Sequence, residues 1–296
     1  EITEISILSD NDNSSYAKDD DLITLGFTTD SDLIVDPTVQ IMGRAATQSS
    51  AVEKEYVYTL TMDKAVDDNG QVTVSIDFTD EAGNIGLTVT EDDIGLNITY
   101  DETDPYLTYV SIRSSNLDTT YAKETETITV TFESSEPIQA PTVTIAGNNA
   151  IIATGQSGES LFTATYIMTI DEDEETIPFT LNYSDIAGNL GSEVVNSTSD
   201  ASAVMYDKTD PTLSAVTMAS SNADNSLSTV GDEITLQITT ENGPLKKPTI
   251  TIAGNSITDI SPEIDGFNVY TATYEMGALD AATDPGESLS FTVDFS

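Results

Sequence analysis

Apolar residues in this chain fall in short runs in which every second position is polar. In "TITVTF" (127–132), Ile128, Val130 and Phe132 fall on one side and Thr127, Thr129 and Thr131 on the other. That period of two belongs to a half-buried β-strand. The run 161–170 repeats it, with Phe162, Ala164, Tyr166, Met168 and Ile170 expected on one face. No segment keeps a 3.6-residue apolar stripe for three turns, and no apolar run approaches the ~20 residues of a membrane helix. Between the runs lie Gly, Asn, Asp and Pro, and Asn69-Gly70 and Asp265-Gly266 supply the positive φ of tight turns. The pattern predicts an all-β protein.

The runs recur. "ITYDETDPYLTYVSI" (98–112) returns as "VMYDKTDPTLSAVTM" (204–218), and "DFTDEAGNIG" (77–86) as "NYSDIAGNLG" (182–191). "DPTVQIMG" (36–43), "APTVTIAG" (140–147) and "KPTITIAG" (247–254) form a third set, and "YVYTLTM", "FTATYIM" and "YTATYEM", ending at Met62, Met168 and Met276, a fourth. Four landmarks in one order predict three repeats, 1–105, 106–211 and 212–296. A period near 105 suits a domain, and about seven strands in ~100 residues make an immunoglobulin-like sandwich. In the second repeat the expected strands are A 106–113, B 126–133, C 141–146, D 149–154, E 161–170, F 176–184 and G 193–206. The fold expected is tandem immunoglobulin-like β-sandwiches with Greek-key links, the last lacking its final strand. In that repeat "FTVDFS" (291–296) aligns with "FTLNYS" (179–184), the F strand. The reading preferred for this is a section of a longer chain; the other is a strand donated by a second chain.

Composition narrows the chemistry. The chain holds 52 Asp+Glu against 9 Lys+Arg, a net charge of −43, with no Cys, His or Trp. Disulfides, Ser-His-Asp and Cys-His catalysis and His/Cys zinc sites all lose an essential residue. So few cations against so many anions exclude a phosphate-backbone partner and argue against anionic membranes, so neither nucleic acid nor direct membrane insertion is expected. Ser and Thr together number 74, the usage of strand and turn rather than helix.

The linker "YDKTDPTLSAV", the turn "SSNAD", the strand "GDEITLQI" and the runs "KPTITIAGN", "YTATYEM" and "SDIAGNLG" resemble bacterial Ig-like repeats of large surface adhesins, biofilm-matrix proteins and filaments. The resemblance covers essentially the whole chain. It implies a non-catalytic stalk, spacer or filament segment, extracellular or at a cell surface, whose partners are neighbouring Ig-like repeats of the same or identical chains. The alternative it leaves is an adhesin module binding a glycan or protein through its loops. Where the family linker often reads Thr-Ala-Pro, this chain has Thr-Asp-Pro at 103–105 and 209–211, adding a carboxylate at each junction.

Oxygen ligands are the metal chemistry left, so calcium is the expected cofactor. In an Ig-like row the AB and EF loops of one domain, the linker, and the BC and FG loops of the next meet at a junction. At the first junction this nominates Asp101, Glu102, Asp104, Glu136, Asp185 and Asn189, among neighbours that include Asp10, Asp12, Asp67, Asp68 and Glu133. At the second it nominates Asp118, Glu172, Asp207 and Asp210, with Glu241 and Asn242 beyond. Gathered carboxylates repel, and a divalent ion relieves the repulsion. The competing account is a set of solvated turn carboxylates. No acidic loop completes the EF-hand pattern. No carboxylate pair with an aromatic platform suggests glycoside hydrolysis, and the strand tyrosines Tyr58, Tyr166 and Tyr274 read as packing.

Overall fold

The computed structural model describes residues 1–295 apart from 96, 244, 279 and 281–287. It is built of β-sheets, with one helix among the described residues, Glu91–Ile94. No helix among the described residues is long and apolar enough to cross a membrane. The chain divides into two compact units, Glu1–Asp207 and Lys208–Ser296.

The first unit holds two sandwiches. In the second repeat, A (Leu107–Ser114), B (Thr127–Ile138), E (Glu159–Ile167) and D (Ile151–Thr154) form one antiparallel sheet in that order. C′ (Asn148–Asn149), C (Thr142–Ile145), F (Phe179–Asn182) and G (Val194–Val195) form the other. A-B-E-D facing G-F-C with a C′ edge is the immunoglobulin arrangement. The first repeat has the same order, with A, B, E and D at Ile2–Ser9, Leu22–Thr29, Glu55–Thr61 and Thr47–Val52. Its C′, C, F and G are Arg44–Ala45, Thr38–Ile41, Val74–Asp77 and Val89–Thr90. A short parallel pairing closes each sandwich: Tyr16–Ala17 with Thr99–Tyr100, and Tyr121–Ala122 with Met205–Tyr206.

The second unit repeats A-B-E-D with Leu213–Ser220, Glu233–Thr240, Val269–Glu275 and Ile260–Ser261. Its other sheet has C′ (Asn255–Ser256), C (Thr249–Ile252) and F (Phe291–Asp294). Ser296, last of the six-residue F-strand motif, lies outside the described residues.

Alternation explains the cores. Ile128, Val130 and Phe132 are fully buried, while Thr127, Thr129 and Thr131 keep partial exposure. Each such side chain is worth ~1.5–3 kcal/mol of transfer free energy. Opposite them stand Val143, Ile145, Phe179 and Leu181, with Phe162 stacked on Phe132 at 5.6 Å. Equivalent clusters centre on Ile23, Leu25 and Ile41, and on Leu236, Ile238 and Ile250.

Several expected bounds move. Strand B runs on to Ile138 through a bulge after Glu133. Residues expected as one D strand split into C′ and D around Ala150. Strand E ends at Ile167, so Ile170 is exposed rather than facing inward with Met168. G is two short pieces, because Asn196 and Ala201 take φ of 54° and 58° and break the run between them. Tyr58 fills the place of Ala164, two residues before the position of Tyr166. It is buried with its hydroxyl on the Pro37 carbonyl at 2.9 Å.

Candidate functional site

The FG loop Asp-x-Ala-Gly-Asn is a self-contained device. In the first sandwich, Asn84 donates its backbone N–H to Asp80 Oδ1 and its amide to Oδ2, both at 2.8 Å. Asn189 does the same to Asp185 at the same distances. Gly188 takes a φ of 91°, which L side chains rarely adopt. Two residues past the Asn, a Cβ on Gly191 would stand 2.1 Å from the Tyr183 ring. The motif is thus written by turn geometry and one ring contact.

The AB turn is equally regular. Asn11 receives its orientation from Ser9, whose Oγ accepts the Asn11 N–H at 3.2 Å, and its amide donates to Asp21 Oδ2 at 2.7 Å. Asn116 with Ser114 and Glu126, and Asn222 with Ser220 and Asp232, repeat the arrangement. In the first sandwich this turn reaches the FG loop of the second. Asn11 Nδ2 donates to the Ala187 carbonyl at 2.9 Å, and Lys18 Nζ to the Gly188 carbonyl at 3.1 Å. Asn189 Nδ2 closes on the linker, donating to the Asp101 carbonyl at 2.8 Å. The linker is tied back to its own sandwich, since Glu102 donates its N–H to Asn69 Oδ1 at 2.7 Å.

Three carboxylates converge here. One oxygen each from Asp101, Glu136 and Asp185 lie within 4.8 Å of one another. Asp101 comes from the linker, where its own N–H is bonded to Ala17. The bulge in strand B sets Glu136, while Ile138 bridges to Asp185 and Gln139 donates to the Ser184 carbonyl. Among the described residues, none of the three forms an ion pair with Lys or Arg.

The two FG loops make a natural comparison. At Asp80, the Asn84 side chain and backbone donors hold the carboxyl below its usual range. Asp185 has the same donors but is only 1 % exposed. Burial pushes its carboxyl up, and the neighbouring Asp101 charge adds to the rise. Glu136 is also pushed up, by burial first and then by Asp101 and Asp185. The cluster gathers three carboxyls; Asn189 donates to Asp185, but no Lys or Arg ion pair neutralises any of them among the described residues.

The other nominated residues lie elsewhere. Asn189 organises the cluster as a donor. The Glu102 and Asp104 carboxylates stand outside it, Asp104 exposed. Asp118 caps its own turn, accepting from the Thr120 N–H and hydroxyl at 3.1 and 2.6 Å. Asp207 is exposed, its N–H bonded to the Ala122 carbonyl, and Asp210, also exposed, belongs to the other unit. Glu172 serves as a clasp within the second sandwich. It accepts from the Thr169 N–H and hydroxyl at 2.7 and 2.8 Å, from Tyr166 and from Asn148. Burial opposes its ionisation, but the Tyr166 and Thr169 donors outweigh this and hold the carboxyl below its usual range. The same clasp recurs as Asp280 with Tyr274 and Asn255, and as Asp67 with Arg44. Sequence reasoning missed Asn11 and Lys18. The recurrence of Asn11, Asn116 and Asn222 was the signal available.

No protein-family model and no curated protein matches the chain. Among solved structures, it is similar to an I-band fragment of titin, I67–I69, at 9% identity and a TM-score of 0.41, covering 97% of this chain and 93% of that one. The I9–I11 tandem of titin gives 10% identity and a TM-score of 0.33, covering 99% and 95%. The D00–D0 domain of intimin gives 15% identity and a TM-score of 0.26, covering 69% and 100%. By its own strand order the chain is a tandem of immunoglobulin-like sandwiches.

Proposed function

We propose that this chain is a non-catalytic structural segment, a stalk or filament building block of a secreted or cell-surface protein, with calcium stiffening the first junction. The observation that carries this is the junction itself. Recurring loops join two sandwiches by side chain to carbonyl bonds and bury Asp185 beside Asp101 and Glu136, none of the three ion-paired to Lys or Arg among the described residues. Such a donor set fits a hard divalent ion: carboxylate oxygens only, partly withdrawn from water, with two of the three carboxyls resisting ionisation in its absence. Asp101, Glu136 and Asp185 would hold the ion, which supplies charge compensation and a crosslink between linker, BC arm and FG loop. The proposed partners are neighbouring Ig-like repeats of the same or identical chains.

The reading is tested by a glycan array and a glycosidase panel on the intact chain. Both are expected to be blank. Reproducible binding would favour an adhesin module, and turnover would overturn the non-catalytic assignment.

A further inference from the structure

Each sandwich closes its EF loop with a clasp, and the three clasps are not built alike. The C′ residue at the clasp is Arg44, Asn148 and Asn255 in turn, and the carboxylate is Asp67, Glu172 and Asp280. In the second and third repeats the remaining member is a strand E phenol, Tyr166 and Tyr274, which donates to the carboxylate. The same register position in the first repeat is Leu60, opposite Ile23 as Tyr166 is opposite Ile128. A leucine has nothing to donate.

Among the described residues, the buried side-chain polar atoms without a hydrogen-bond partner are Arg44 Nε, Gln48 Nε2, Asp67 Oδ1 and the Tyr100 hydroxyl, all in the first repeat. Arg44 and Asp67 are joined through Nη2 and Oδ2, which leaves Nε and Oδ1 over. Asp67 Oδ2 also accepts the Asp63 N–H at 2.9 Å. Tyr100 belongs to the same place. Its counterpart by strand pairing, Tyr206, donates to the Thr169 carbonyl at 2.5 Å, and Thr169 is the residue whose N–H donates to Glu172. Asp63 holds that position in the first repeat, directly after the buried Met62 as Thr169 follows Met168. The Tyr100 hydroxyl is thus brought to the residue that Asp67 clamps, yet it makes no bond to the protein there. Burial pushes its pKa up to about 12, and the charges of Glu102, Asp19, Asp67 and Asp63 add to the rise, so it keeps its proton for donation. Tyr100 has no exposed surface and Asp67 is 3% exposed. Polar groups so deeply buried are paired in folded proteins, with protein or with ordered water.

We propose that the clasp of the first sandwich is a binding site for a single water molecule, which donates to Asp67 Oδ1 and accepts from Arg44 Nε and the Tyr100 hydroxyl. The chemistry of the three groups selects it. Two are donors and one is an acceptor. A cation would be opposed by Arg44 and an anion by Asp67, whereas water offers two lone pairs and two protons. Three bonds are the usual number for a buried water. Its oxygen takes the part that the Tyr166 hydroxyl plays in the second repeat. The site does not involve the junctional carboxylates, so the test is run in EDTA, where the calcium reading plays no part.

Magnetic relaxation dispersion of solvent counts long-lived internal waters in the intact chain. The count is expected to fall by one in Leu60→Tyr, which restores the phenol of the other two repeats. In the unmutated chain, the amide protons of Asp63 and Asp67 are expected to show cross-relaxation with bound water, which decides the matter even if Leu60→Tyr fails to fold. Tyr100→Phe is expected to lower the melting temperature of the first unit, because it removes a partner of the water; a hydroxyl with no partner would be removed without loss. The proposal is overturned by an unchanged count in folded Leu60→Tyr. Missing cross-relaxation at Asp63 and Asp67, or a melting temperature that holds or rises in Tyr100→Phe, overturns it equally.

Discussion

Asp185 carries the clearest physical signature in the chain. It and Glu136 titrate above the usual carboxylate range, so the folded state keeps protons there that the unfolded chain has released. Stability therefore falls as pH rises from the unfolded pKa, about 4, through the raised folded values. The penalty is absent below that window and complete above it. In EDTA, lowering the pH from 7 towards the unfolded value of about 4 is expected to raise the melting temperature of the first unit. Asp185→Asn should flatten that slope, and a flat profile in the unmutated chain would remove the electrostatic argument. Carboxyls such as Asp80, Asp232 and Glu172 are held low, and their stabilisation is lost only as pH falls below the unfolded value towards their folded pKa. Acid unfolding is therefore expected only at lower pH, and the melting temperature should first rise and then fall as the pH is lowered from 7.

Loops are the elements that turn these residues into a junction. Asn11 and Asn222 sit in matching AB turns, but only Asn11 is seen to donate to an FG-loop carbonyl, that of Ala187. Asn11→Ala should cost about 1–2 kcal/mol more than Asn222→Ala, each measured on the transition of its own unit. Equal losses would mean that the Ala187 bond contributes nothing. In the FG loop, Gly191→Ala drives a methyl into the Tyr183 ring and should cost about 1–3 kcal/mol. Calorimetry of the first-unit transition reads it directly, and an unchanged melt would show that the ring yields freely. These elements also mark what was legible beforehand. Strand B could be read from Ile128, Val130 and Phe132, because one buried face imposes a period of two. Strand G could be read as one run, 193–206, but its break could not, because Ser199 and Ser202 hold the middle of the segment to Val110 and Ile112 by hydroxyl bonds that leave no periodicity. The Asp-x-Ala-Gly-Asn loop was visible as a repeat, but its function as a docking surface depends on a loop 170 residues away.

At the scale of the whole molecule, 52 carboxylates share 296 residues, and composition cannot say which of them meet. Domain topology named the loops that converge at the first junction, and Asp101, Glu136 and Asp185 do converge. It could not separate them from Glu102, whose N–H is tied to Asn69, from the exposed Asp104, or from Glu172, which Thr169, Tyr166 and Asn148 clasp. This separation gives the account its discriminating controls: Asp185→Asn and Glu136→Gln alter the cluster, whereas Asp104→Asn touches only an exposed carboxylate. The most direct test is calorimetric titration of calcium into the intact chain at constant ionic strength, beside these variants. The account predicts saturable binding with a Kd on the order of 0.1–1 mM and a raised first-unit melting temperature, both lost in Asp185→Asn and Glu136→Gln and retained in Asp104→Asn. If sodium at matched ionic strength reproduces the effect, or the cluster variants bind calcium as the unmutated chain does, the three carboxylates are a solvated surface and the junction holds no ion.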